Sequence, residues 1–306
     1  MRKTKRQQLL SVSISSVAIA ALVVLCWTHH HQLAEALRRI PPLVFAAAVA
    51  LHMIALSVRA EAWLLTLRAI DGRGAPRKVT HFASAGGFLV GTVSGHATLP
   101  LRMLLVRRLA PDDSPPLRDL IVADAPIYAV EATIAAALAP LAAGALGIPW
   151  WVALAAPFAG IAILLLLRRA HGFASRRGIA RGLAILDEVE HRRKLVVLVF
   201  IVSAATFARM WLLLHFTGLP DGVDEATLLF VSAGALSLLP LGPAAGPAAA
   251  LVATRGAHVG AATAAGLGIT GSGFAGVALY GLVTLIARHQ RRPASSQPDN
   301  AEFSAP

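Results

Sequence analysis

Apolar residues run in long blocks along this chain, and the polar residues gather between the blocks. A block of about 20 apolar residues suits a helix that crosses a membrane, because 1.5 Å of rise per residue then matches ~30 Å of hydrocarbon. Full spans are expected at Leu9 to Trp27, Leu43 to Leu67, Leu120 to Leu146, Pro149 to Leu167, Leu195 to Thr217 and about His258 to Ala287. Two further apolar segments, about Val79 to Val106 and Ala226 to Val252, are interrupted. The first break lies in Gly86-Gly87-Phe-Leu-Val-Gly91-Thr-Val-Ser-Gly95-His96-Ala-Thr-Leu-Pro100, the second in Leu236-Ser-Leu-Leu-Pro240-Leu-Gly242-Pro243-Ala-Ala-Gly246-Pro247. Proline removes a backbone donor and glycine favours an opened backbone, so neither stretch is expected to stay helical. Gly95, Pro100, Pro240, Gly242, Pro243, Gly246 and Pro247 are the residues expected to shape the breaks. Broken backbone at membrane depth persists only where protein buries it or where it lines a wet cavity. Two broken segments at corresponding places in two halves point to a transporter-type binding site.

Composition fixes the class. Of 306 residues, 56% are hydrophobic and 14% charged, with a mean hydropathy of +0.66; these values belong to polytopic helical membrane proteins. Residues 1–290 read as a single transmembrane domain, and the polar tail 291–306 reads as disordered. The single cysteine, Cys26, excludes an internal disulfide. The basic start from Met1 to Gln8 resembles the head of a signal peptide, but no A-x-A-like site follows, so an uncleaved first helix is expected.

Charge decides how the broken segments lie. The formal charge of +12 falls mostly in short loops beside apolar spans, where it marks the cytoplasmic side of a membrane rather than a nucleic-acid partner. If both broken segments dip in and return, 23 arginines and lysines lie inside and 3 outside; if both cross, the numbers become 11 and 15. The positive-inside rule selects the first arrangement. The expected fold is therefore all-α and polytopic, with about six full transmembrane helices and two opposed re-entrant helical hairpins, at 79–106 and 226–252. Both termini are then cytoplasmic, the setting is a bacterial-type inner membrane, and the opposed hairpins suggest an inverted repeat. In the loop from Arg168 to Lys194, Ile179, Leu183, Leu186 and Val189 recur at helical spacing among arginines. That pattern fits either an amphipathic helix on the cytoplasmic leaflet or an ordinary solvated basic loop.

Arg59 and Glu61 fall inside the second span and Arg209 inside the fifth. An ionisable group at such depth costs roughly 2.5–3.5 kcal/mol on insertion scales and faces a partner or a cavity. The arginines either hold an anionic headgroup, since a guanidinium matches phosphate bidentately, or pair with Glu61 or Glu131. Asp124, Tyr128 and Glu131 follow i, i+4, i+7 spacing and share a helix face. Glu131 lies deepest of the three, whereas Asp124 is near enough to the helix end to be interfacial. His81, His96 and Arg102 flank the first break. There Arg102 either meets a headgroup together with freed backbone N–H groups or anchors the hairpin by snorkelling. Arg59, Arg102, Arg209 and Glu131 are the expected substrate-binding residues.

Other motifs carry no chemistry. His29-His30-His31 reads as an exposed run in a short outer loop, and no metal or cofactor is assigned. Gly266-Leu-Gly268-Ile-Thr-Gly271 and Gly271-Ser-Gly273-Phe-Ala-Gly276 fit G-x-G-x-x-G but lie in an apolar span without the strand-to-helix junction of a dinucleotide site. Their small residues suit close helix packing in lipid. Ser272 lacks the elbow context of a hydrolase nucleophile.

The pattern resembles the flippase-like integral membrane family that includes the transmembrane part of lysylphosphatidylglycerol synthases. The likeness rests on Trp63-Leu-Leu, the glycine-rich run into Leu99-Pro100 and Arg102, and Leu238-Leu239-Pro240-Leu-Gly242-Pro243 with the glycine-rich last span. It implies movement of an anionic lipid or lipid-linked substrate between leaflets, and companionship with glycolipid, isoprenoid-lipid or hopanoid pathways. The family's breaks commonly carry a Gly-Glu after the first proline and a Glu after the second Pro-Gly-Gly; this chain has neither acid. Nor is a soluble aminoacyl-transfer domain expected here, so lysyl transfer is not. Other readings remain: an accessory subunit holding a lipid-modifying enzyme, a secondary transporter of a small soluble anion, and an intramembrane enzyme using Asp124 or Glu131, although no catalytic constellation accompanies those carboxylates.

Overall fold

The computed structural model of the chain describes residues 5–71, 75–92, 97–143, 147, 149, 189–237, 239 and 241–289. The long apolar blocks fold as α-helices, in which every internal backbone donor and acceptor bonds within its own segment, as a hydrocarbon surround requires. Helix α1 (Lys5–Thr28) leads into α2 (His30–Arg38), then α3 (Pro42–Asp71), α4 (Arg77–Gly91), α5 (Thr98–Leu109), α6 (Leu117–Val122) and α7 (Ala125–Leu138), which ends in a 3₁₀ turn over Ala139–Ala142. After the undescribed stretch come α8 (Val189–Phe216), α9 (Val223–Leu236), a 3₁₀ turn at Gly242–Ala244, α10 (Ala245–Ala253) and α11 (Val259–His289). No strand occurs among the described residues.

Among these residues, four helical stretches are long and apolar enough to cross a membrane: Pro42–Ala69, Asp119–Ala142, Glu190–Phe216 and Val259–His289. The expected first span differs from its reading. Its helix bends by 84° into α2, so the histidine run begins an amphipathic helix rather than lying in a loop. His30 Nδ1 donates to the Trp27 carbonyl at that corner (2.9 Å). Counting the bent pair as one gives five spans. All of the expected span Pro149 to Leu167 except Pro149 itself, and most of the loop to Lys194, lie outside the described residues. The end of that loop is corrected: residues from Val189 onward already belong to α8.

The element order of one long helix, two short ones and another long stretch occurs twice, as α3 to α7 and as α8 to α11. The two leading helices run antiparallel. Ala48 shares a core cluster with Met210, Leu213 and Leu214, Ala55 with Val202 and Ala205, and Ala62, Trp63 and Leu67 with Leu195 and Val199. Helix α11 lies parallel to α3, with Leu56 and Ala60 against Val277 and Tyr280. Each half then packs on the other: α11 covers α3 and α4, while α7 and its 3₁₀ turn cover α8 and α9.

Close backbone approach is what the broken segments contribute. Helix α5 returns antiparallel along α4, and a Cβ at Gly87 would lie 2.8 Å from the Thr98 carbonyl oxygen. Helix α10 crosses α11 in the same manner, since a Cβ at Gly246 would lie 2.7 Å from the Gly266 carbonyl oxygen. Small residues let helices meet at that range and gain dispersion contacts, the main attraction between helices in lipid. Pro100 and Pro247 each occupy the third residue of the second helix of their pair, where a missing N–H removes no helical bond. Gly242 begins the second return with φ 54°, a left-handed value that glycine adopts without steric cost. Pro243 lies in the same 3₁₀ turn and accepts a bond from Thr270 Oγ1 (3.3 Å). Gly95 and Pro240 lie outside the described residues.

Candidate functional site

Three arginines point into the helix assembly, and their surroundings differ. Arg102, one turn into α5, is 2% exposed. Its Nη2 donates to Asp124 Oδ1 at 2.6 Å, and its guanidinium carbon lies 3.7 Å from the ring centre of the fully buried Trp63. It therefore neither reaches an interface by snorkelling nor stands free for a headgroup. Asp124 lies five residues into the candidate span Asp119–Ala142. It is buried in the break between α6 and α7, where it takes that bond.

Arg59 on α3 donates through both Nη atoms to Glu131 on α7, with the Nη2 to Oε2 bond at 3.2 Å. Its guanidinium also lies 5.3 Å from the Tyr128 ring centre. The face formed by Asp124, Tyr128 and Glu131 thus serves two different arginines, and two of the expected binding cations already hold carboxylate partners.

Arg102 Nε is unmet as well, but Arg209 differs from both in having no carboxylate partner among the described residues. On α8 it is only 6% exposed, and its Nε and Nη1 have no hydrogen-bond partner among the described residues. An unmet buried donor is costly, more so when it carries charge. The space beside it is kept open by α11: a Cβ at Gly273, near the middle of that helix, would meet Arg209 Nη1 at 3.7 Å and His52 Nε2 at 3.9 Å. The Nδ1 of His52, on α3, also lacks a partner. One cation and one imidazole from opposite helices therefore converge on a glycine at mid-span.

A second polar group lies two turns further along the same face of α11. Tyr280 Oη is 2.7 Å from His81 Nδ1, and His81 Nε2 is 2.7 Å from Glu61 Oε1, the oxygen that also accepts from Arg77 Nε. His81 lies on the body of α4, a turn and a half before Gly87, rather than at the break; His96 lies outside the described residues. Sequence reading missed both His52 and Tyr280. The available signal was a single aromatic hydroxyl or imidazole within an otherwise apolar span, which does not reveal which neighbour it meets.

The two glycine motifs lie within α11. Gly266 faces Gly246 and Pro247, and the buried Ser272 donates its hydroxyl to the Ile269 carbonyl (3.1 Å). No group of three or more His, Cys, Asp or Glu side chains is placed to hold a metal among the described residues. Helices of this length and apolarity are consistent with a multi-pass membrane protein. No protein-family model matches this chain, and no curated protein matches it.

Proposed function

We propose that this protein moves an anionic substrate, a lipid headgroup or a lipid-linked group, across the membrane through a site centred on Arg209. The observation that carries this reading is the buried Arg209 guanidinium, whose Nε and Nη1 have no hydrogen-bond partner among the described residues, beside His52 and the mid-helix Gly273 while Arg59 and Arg102 hold carboxylates. A buried charge is stable when it is paired, and a phosphate oxygen arriving there would supply the acceptor that the described residues do not. Of these three arginines, Arg209 is then the one whose charge is left to attract an anion.

The arrangement of the short helices supports the same reading. Helices α4 and α5, of 15 and 12 residues, extend about 22 Å and 18 Å at 1.5 Å per residue, less than the ~30 Å hydrocarbon layer. The pair α9 and α10 is shorter still. In this reading each pair dips in and returns, and the antiparallel α3 and α8 give the two halves opposite senses, the inverted repeat of many transporters. In this reading both termini are cytoplasmic, the side on which the positive-inside rule expects the basic loops.

The test is transbilayer movement of fluorescent anionic and zwitterionic lipids in liposomes holding the purified full chain. Arg209→Ala is expected to slow movement of the anionic lipid about 10- to 100-fold, the value of a charge-assisted hydrogen bond, without altering the folded state. Arg209→Lys is expected to retain part of it, because an ammonium supplies charge without the planar fork. Equal rates in wild type and Arg209→Ala would remove the arginine from the path. Uptake of labelled inorganic phosphate without lipid movement would replace the lipid reading with transport of a small soluble anion.

A further inference from the structure

The cluster of Glu61, His81, Tyr280 and Arg77 is not needed to neutralise a substrate, yet it is the most connected polar group in the described fold. His81 is the hinge of it. Its two ring nitrogens bond in opposite directions, to Glu61 on α3 and to Tyr280 on α11, so one side chain of α4 fastens the first short-helix pair to a long helix from each half. Exposure falls along the chain of bonds. The Arg77 side chain is 68% exposed, Glu61 26% and His81 14%, while Tyr280 is 4% exposed as a residue. The inner end is sealed by Leu56, Ala60, Ala85 and Val277, with Phe88 against them; beyond that seal lie His52 on α3 and Gly273 on α11, with Arg209 of α8 beside them.

We propose that His81 is a proton-binding site that gates access to Arg209, the protonated imidazole clamping α4 onto α3 and α11 and the neutral imidazole loosening it. With His81 neutral, Nε2–H donates to Glu61 Oε1 and Nδ1 accepts the Tyr280 hydroxyl proton. One added proton goes to Nδ1. Both nitrogens then donate, the Tyr280 oxygen becomes the acceptor, and the Glu61 carboxylate gains an imidazolium counter-charge beside Arg77. The net charge of the four groups changes from zero to +1. The other charged groups near the cluster have partners of their own: Lys78 bonds the Ala287 carbonyl, Arg288 lies over Phe82, and Arg102, whose field reaches Tyr280, is held by Asp124. Histidine is the side chain that titrates between about pH 5 and pH 8. Because the proton strengthens the clamp, α4 is held at the acidic end and released as pH rises.

This role rests on the translocation reading for its consequence, but the clamp itself is measurable without transport. Amide hydrogen exchange of the full chain in phospholipid nanodiscs, corrected for intrinsic exchange, is compared at about pH 5.5 and about pH 8. Amides of α4 are expected to exchange about five-fold more slowly at the lower pH, the factor gained when a hydrogen bond becomes an ion pair. His81→Gln, whose amide still donates to Glu61 but takes no proton, is expected to give equal corrected rates at both. Tyr280→Phe, which removes only a hydroxyl, is expected to narrow the ratio. Equal rates in the wild type, or an unchanged ratio in His81→Gln, would overturn the clamp. In liposomes the wild-type rate of lipid movement is expected to rise with pH and that of His81→Gln to stay flat. A clamp seen by exchange beside movement that ignores pH would refute the gating role, whereas a clamp without any movement would refute the translocation reading and leave the proton site standing.

Discussion

Asp124→Ala is expected to destabilise the folded protein by about 3–5 kcal/mol, the cost of removing one partner from a buried ion pair. Arg102 then keeps its charge at 2% exposure with no carboxylate to receive it. Its stacking on Trp63 persists, but a cation over an aromatic face contributes only about 0.5–2 kcal/mol and does not replace the lost bond. The measurement is resistance to unfolding by a denaturing detergent, followed through the tryptophan signal. The double variant Arg102→Met with Asp124→Leu is expected to recover most of the loss, because replacing both partners of a buried pair by apolar groups of similar volume is often neutral. Recovery by the double variant assigns the pair to the fold. Loss of lipid movement in a stable double variant would instead return Arg102 to the substrate path.

Gly266→Leu is expected to fall at or above the upper end of the roughly 1–3 kcal/mol that overpacking costs. The atoms in its way are backbone: a Cβ at 266 would meet the main chain of Gly246 and Pro247, which cannot swing aside as a side chain can. The second short-helix pair must then move off α11, and its contacts there are lost together. Gly281→Leu on the same helix is the control, since a Cβ at 281 meets nothing within 4 Å. A destabilisation equal at 266 and 281 would show that helix propensity, not the crossing, is what glycine supplies. The expected difference places the strongest sequence constraint of α11 at the crossing, and not at the site beside Gly273, where there is still room.

Much of the architecture follows from the letters alone. Apolar blocks of membrane length give the helices α3, α8 and α11 within a few residues, because lipid leaves the backbone no other way to satisfy its polar groups. Glycine and proline mark both interruptions for the same reason, and Pro100, Gly242, Pro243, Gly246 and Pro247 lie at the helix returns. What one-dimensional spacing misplaced were the features with short polar helices, where periodicity is weak. The histidine run starts α2, and the basic end of the long loop is the first turn of α8.

The charged residues divide differently. Sequence placed Arg59, Arg209 and Glu131 inside apolar spans, where burial cost made them notable, with Asp124 near the end of one span and Arg102 beside the first break. It left open which cation meets which carboxylate, because Arg59 and Glu131 are 72 positions apart and Arg102 and Asp124 are 22 apart. That choice belongs to the crossing of α3, α5, α6 and α7. Tertiary packing alone pairs two arginines, leaves Arg209 without a partner among the described residues, and brings His81 between Glu61 and Tyr280 across 199 positions of chain. Hydrophobic periodicity decides where the chain is helical and where it breaks, since those are local satisfactions of the backbone. Which buried charge is left free is a property of helices that meet only once the fold has closed.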